Sequence, residues 1–376
     1  MNNFINCDQE ILKKPMVFII ACPMNAFMSS ILGNYSNKVS LIYAFDSKRK
    51  DIKKYKKTFK DLMSNLKIVE EFDIEYDAQK FWAGKKNQLL PPIRKMLKKC
   101  FKDKKMTDWL IFGNCLTNPV GLAAKTFGNL NHLYHSPGDF FDLLFPKENK
   151  IKSWIKNCIK NFLKLEIYKI EKTKLPIYSL LKFKSTNFFH FIDYRAYNCD
   201  LVKNKLNKLR KSIRKQENNI LLLVAGEEPE AGDKNFYNIK KYIKPHLLAL
   251  AELKLKKKLS NSVVWVKEHK SYFPLSNYER NLLKKSFKTL NFKTKFVSDF
   301  MIKSYKILPG ECIIRYCDFN YIIAEPSSFL FNVCGENNFS IAALSQFKDY
   351  RNTDQIARNE EFIKINNLLF NKVTVI

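Results

Sequence analysis

Residues 308–333, LPGECIIRYCDFNYIIAEPSSFLFNV, constrain this chain more than any other stretch. The run YIIA at 321–324 is apolar and bounded by turn signals, the pattern of an interior strand of a parallel sheet. Pro326 disfavours the helical region for Glu325 and ends the strand there. Ser327 or Ser328 can then cap a helix carrying Phe329, Leu330, Phe331 and Val333. Open α/β sheets bind ligands where a strand ends at a helix N-terminus. Free backbone N–H groups beside two hydroxyls suit a phosphate there. The same serines also suit a plain helix cap, so the local pattern leaves both uses open.

The rest of the chain repeats the strand-then-helix theme. Residues 16–22, MVFIIAC, read as a buried strand, and 23–32 as the helix that follows. Further strands are expected at 39–45, 67–72, 109–112 and 132–134, with helices at 47–65 and 120–127. A helix at 81–100 is expected to break near Pro91 and Pro92. Residues 144–215 are Lys-rich and aromatic with weak strand signals, and 203–215 read as a basic helix. Strands resume at 219–226, 263–266, 293–297 and 340–344, with a long helix through 242–258. Strands alternating with helices imply parallel sheets and a Rossmann-like α/β fold. The expected domains are residues 1–215, including the basic crossing segment, and residues 216–376.

Composition bounds the partners. The chain of 376 residues is 46% hydrophobic and can bury real cores. It carries 66 Lys+Arg against 36 Asp+Glu, a net charge of +30 that asks for an anionic partner. The nine cysteines have irregular spacing and no CxxC pair, which predicts reduced thiols and no metal site. The N-terminal MNNFINCDQEILKKP lacks the basic-then-apolar pattern of a signal peptide, and no apolar run approaches a membrane span. Alternating Asp73, Glu75 and Asp77 read as a solvated acidic face of a strand end rather than a metal site.

Three strand ends in the second half carry polar residues: AGEEPEAG at 225–232, VKEHK at 266–270 and EPSSF at 325–329. Parallel strands put these ends on one edge. Gly226 permits close approach of a phosphate or ribose to the backbone. His269 suits a general acid near neutral pH, and Lys267 adds positive charge. Glu227 and Glu228 point to opposite faces on an extended strand, so Glu228 or the loop backbone is the expected nucleotide contact.

With these residues in place, the second half resembles the bacterial sialyltransferases and polysialyltransferases of lipooligosaccharide and capsule synthesis. That family has a strand–Gly loop, a later Lys-x-His-Pro, a Pro-x-Glu and a Ser-Ser pair after a buried strand. They are matched in order by 221–226, by Lys267-Glu268-His269, by Pro309-Gly310-Glu311 and by Ser327-Ser328, with Lys270 standing where the family has Pro. The resemblance implies a GT-B architecture, two Rossmann-like domains facing a central cleft. It also implies an inverting, metal-independent transferase moving sialic acid, or a related ulosonic acid such as Kdo or legionaminic acid, from a CMP-sugar donor. No further cofactor is implied. His269 would stabilise or protonate the departing CMP phosphate, Ser327 and Ser328 would bind it, and Glu311 would accept from ribose hydroxyls.

In the first half the family's acidic-acidic-Gly motif, which supplies the base, is matched only by LYHSPGDFFD at 133–142. Gly138 fits, and either His135 or Asp139 could be the base; a Pro-Gly turn with Asp139 capping a helix is the alternative. The implied partners are a CMP-sugar, a lipid-linked glycan acceptor and an anionic membrane surface. Trp154, Phe162, Tyr168 and the lysines of 150–215 are the expected membrane contacts. The expected location is cytoplasmic, peripheral at the inner face of the membrane. Net charge also fits a nucleic-acid-binding protein, but no stacking platform or zinc-finger pattern accompanies it, so nucleic acid is not the expected partner.

Overall fold

A computed structural model of the chain describes residues 5, 9–48, 53–102, 108–114, 118–128, 130–134, 176–180, 189–224, 239–268, 275–324, 328–333, 339–342, 360, 362–363, 366–367 and 373–375. The chain divides into two compact units, Met1–Asn198 and Cys199–Ile376. Both are α/β, each built on a parallel sheet compatible with a Rossmann-like fold.

In the first unit the strands are β1 (Met16–Ile20), β2 (Val39–Asp46), β3 (Ile68–Tyr76), β4 (Leu110–Gly113), β5 (Leu130–Tyr134), β6 (Ile177–Ser179) and β7 (Phe189–Phe191). They form a seven-stranded sheet in the order β3-β2-β1-β4-β5-β6-β7, parallel throughout. All of β1 is buried because side chains on both faces meet cover. Val17 and Ile19 enter a core with Ile42, Ile74 and the helices Lys86–Cys100 and Pro119–Ala124. On the other face Phe18 stacks on Phe112, and the helix Pro23–Gly33 (α1) lies against β1.

The helix expected to break at Pro91-Pro92 instead runs unbroken over Lys86–Cys100. Two prolines remove two amide donors, but Leu89, Leu90, Ile93 and Leu97 are buried in the core. At roughly 1.5–3 kcal/mol per buried apolar side chain, that packing outweighs the lost bonds. The break falls earlier, at Gly84, whose φ of 75° suits glycine. The acidic row on edge strand β3 is not merely solvated. Glu71, Asp73 and Glu75 pair with Lys60, Lys56 and Lys53, and Asp77 with Lys48. Charges of this kind blunt an exposed edge.

The second unit carries β8 (Asn218–Val224), β9 (Ser262–Glu268), β10 (Lys293–Phe296), β11 (Tyr321–Ala324), β12 (Phe339–Ala342) and β13 (Val373–Val375). Their order is β10-β9-β8-β11-β12-β13, again parallel throughout. One face packs Ile220, Leu222, Val264 and Val266 against α4 (Ile239–Lys257) and α5 (Asn277–Lys288). The other face presents Leu221, Leu223, Trp265 and Lys267 toward α2 (Asp200–Lys205), α3 (Asn207–Arg214) and α6 (Gly310–Tyr316).

The boundary falls at Asn198/Cys199, not at residue 215 as expected. The basic helical segment therefore belongs with the second unit. Tyr316 Oη accepts from Cys199 N at 2.6 Å, and Ile213 O accepts from Asn219 Nδ2 at 3.1 Å. Leu206, Leu209 and Ile213 are buried, while Lys205, Lys208 and Lys211 remain exposed. Among the described residues no helix is long and apolar enough to cross a membrane.

Candidate functional site

In each sheet the chain winds outward from its first strand, then returns to add strands on that strand's other side. The returns create switch points between β1 and β4 and between β8 and β11. At such points the helices leave on opposite faces, so a crevice opens outside the carboxyl ends of the strands.

The second switch point gathers ionisable groups. Lys267 is the second-last residue of β9 and pairs in register with Leu223 of β8. It lies in the same column as Trp265, whose Nε1 donates to Asn219 Oδ1 at 2.9 Å. The column faces the layer containing α6, so Lys267 is only 4% exposed. Its Nζ donates to Glu268 O at 2.9 Å. Burial pushes its pKa down to about 8; the charges of Glu268, Glu311 and Cys312 act in the opposite direction.

Glu311 lies in the first turn of α6 and is 2% exposed. Its Oε1 accepts from Asn332 Nδ2 at 2.7 Å. Burial raises its pKa, against the hydrogen bond from Asn332 and the charge of Lys267. Asn332 sits one turn along α7 (Ser328–Val333), the helix that follows β11. Its Oδ1 is buried without a hydrogen-bond partner. Gly310 lets these helices meet, because a Cβ there would lie 2.5 Å from the Phe329 ring. The result is a buried cluster: an ammonium whose bond goes to Glu268 O, a carboxylate held by Asn332 and by its own backbone N–H within electrostatic range of that ammonium, and an amide oxygen without a donor. Groups of this kind in low dielectric interact strongly with any polar ligand that completes them.

Of the residues singled out in the sequence, Lys267 and Glu311 are thus brought within electrostatic range on one face of the sheet. Both lie beneath the sheet edge rather than on the surface. Ser328 opens α7 directly beyond β11, as its place in the pattern requires. His135, Asp139, Gly226, Glu228, His269 and Ser327 lie outside the described residues. Of the strands that lead to them, β5 reaches Tyr134 and β11 reaches Ala324 as expected, β9 runs on to Glu268 rather than ending at 266, and β8 is described as far as Val224. Asn332 was not anticipated. Its one sequence signal is its place four residues after Ser328 on the same helical face.

The first switch point is furnished with amides. Asn25 is 2% exposed, and its Oδ1 accepts from Ala21 N and Cys22 Sγ, each at 3.3 Å. Its Nδ2 has no partner. Beyond β4, Asn118 caps the helix Pro119–Ala124 through Val120 N and Gly121 N, and its Nδ2 donates to Tyr76 Oη. Cys312 and Cys317 are free thiols. Among the described residues no group of three or more His, Cys, Asp or Glu could hold a metal ion. No protein-family model matches the chain, and no curated protein matches it.

Proposed function

We propose that the chain is an inverting, metal-independent glycosyltransferase of GT-B architecture that transfers a CMP-activated ulosonic acid, sialic acid first among them. The single observation that supports it best is the buried grouping of Lys267 with the hydrogen-bonded Glu311–Asn332 pair at the second switch point. A nucleoside monophosphate presents one anion and a ribose diol. Lys267 supplies positive charge for the anion, and the N-terminus of α7 supplies free backbone N–H groups. Glu311 and the orphan Asn332 Oδ1 are acceptors suited to the two ribose hydroxyls. His269, the residue after β9, is the proposed acid for the departing phosphate, and Gly226, Glu228 and Ser327 are its proposed companions in nucleotide binding. The acceptor hydroxyl attacks the anomeric carbon and gives its proton to His135 or Asp139, which follow β5 in the sequence. The C–O bond to CMP breaks on the opposite face. With a single phosphate to neutralise, Lys267 and the helix N-terminus suffice, so transfer proceeds in EDTA.

Thermal-shift measurements against CMP, CDP, UDP and GDP test the reading, since a ligand bound to the native state raises its stability. A shift with CMP that the diphosphates do not match is expected. No shift with any nucleotide, together with salt-dependent retention on duplex DNA, transfers the chain to the nucleic-acid-binding class that its +30 charge also fits.

A further inference from the structure

In a parallel sheet with crossover helices, the helices run back against the strands and their C-terminal ends gather at the sheet's N-terminal edge. In the second unit that edge collects positive charge. Arg214 and Lys215 stand at the end of α3, Lys256, Lys257 and Lys258 at the end of α4, and Lys288 at the end of α5, while Lys293 opens β10; all are exposed. Two hydrogen bonds join these ends into one surface. Asn218 Nδ2 donates to Ser260 O at 3.1 Å, and Lys254 Nζ donates to Leu290 O at 2.9 Å. The carboxylates among them are outnumbered: Glu252 pairs with Lys256, Asp318 with Arg214, and Glu217 is exposed.

Lysines in the last turn of a helix complement its dipole, which accounts for part of this charge. It does not account for Leu255, which is 76% exposed in the last turn of α4. Nor does it account for Lys258, which follows the helix at φ 49°, a conformation usually left to glycine or asparagine. After α5 the corresponding left-handed position is Asn291, at φ 60°. An exposed leucine set among lysines matches a surface that is anionic outside and apolar just beneath.

We propose that this edge docks the second unit on anionic lipid headgroups, with the lysines on phosphates and Leu255 entering the headgroup layer. Nucleic acid would neutralise the lysines equally well but offers no apolar layer to the leucine. The edge lies at the opposite ends of the strands from the β8/β11 switch point, so a bound membrane leaves that crevice open. The surface differs from the one expected at residues 150–215, where Trp154, Phe162 and Tyr168 lie outside the described residues. It does not depend on what the nucleotide site binds.

Co-sedimentation of the full chain with phosphatidylcholine vesicles, with and without phosphatidylglycerol, tests the proposal. Binding only to the anionic vesicles, weakening with added salt, is expected. Lys257→Gln/Lys258→Gln/Lys288→Gln should lower partitioning about 100-fold, at about fivefold per charge removed. Leu255→Ser should lower it severalfold while leaving retention on duplex DNA unchanged. All four positions are exposed, and circular dichroism with melting checks that the variants fold as the wild type does. Wild-type indifference to phosphatidylglycerol overturns the proposal. So does sedimentation of either variant at wild-type strength, which would move the contact elsewhere or remove the leucine from it.

Discussion

At the switch point of the first sheet the polar groups are amides; at that of the second they are ionisable. Asn25 and Asn118 hold the β1–β4 crevice with neutral hydrogen bonds, and Asn25 Nδ2, a donor, is buried without a partner. Lys267 and Glu311 sit by the β8–β11 crevice, and the orphan there is an acceptor, Asn332 Oδ1. The two sheets wind alike, so topology places a crevice in each without deciding its ligand. The side chains make that difference. A buried ammonium suits an anion, whereas a neutral amide crevice suits a hydroxyl-rich molecule. On this comparison the proposed nucleotide site falls to the second unit and the proposed acceptor site to the first.

The sharpest test lies at the end of β9. His269→Ala should cut transfer about 100-fold or more with an unchanged fold, as expected for loss of a general acid. Near-normal turnover in the purified variant would remove His269 from the mechanism. The next test separates the two crevices directly. Lys267→Met should weaken CMP binding about 10–100-fold by calorimetry, as a hydrogen bond to a charged group is lost. If Asn25→Ala weakens CMP binding as much, the assignment of units is reversed.

The same lysine predicts a pH dependence. Its pKa is depressed to about 8 from the ordinary 10.5, so its charge, and with it CMP affinity, should fade as pH rises through about 8. In Lys267→Met that alkaline limb should disappear. Stability moves the other way. Between about 8 and 10.5 the unfolded chain holds a proton that folded Lys267 has released, so this group's contribution to stability rises with pH across that window. A CMP affinity flat from pH 7 to 9.5 would rule out Lys267 as the anion partner.

Smaller effects are expected from the supporting residues. Asn332→Ala removes the donor that holds Glu311 Oε1 and should cost about 1–3 kcal/mol in a denaturant melt. It should also weaken discrimination between CMP and 2′-deoxy-CMP; unchanged discrimination would make Asn332 purely structural. Asn25→Ala should cost about 1 kcal/mol and leave CMP binding untouched, since its bond from Ala21 N is long and the Cys22 thiol is a weak donor.

What the sequence determined by itself is the set of central strands. MVFII, ILLLV, SVVWV and YIIA are continuous apolar runs because strands covered on both faces need no polar side, and β1, β8, β9 and β11 fall on them. Lys267 at the end of β9 and Ser328 at the start of α7 were legible for the same reason, since a strand end and a helix start are local signals. Tertiary structure alone decided the rest. Strands β6, β7 and β13 are each three residues long, too short to carry a pattern, and exist through pairing with a neighbour already in place. The helix through Pro91 and Pro92 holds because its leucines reach a core assembled from distant segments. The meeting of Glu311 with Asn332 depends on a bare Cα at Gly310 lying against Phe329, a contact between two helices separated by strand β11. No local propensity encodes such a contact, because its stability comes from packing and desolvation that arise only when both helices are docked on the same sheet.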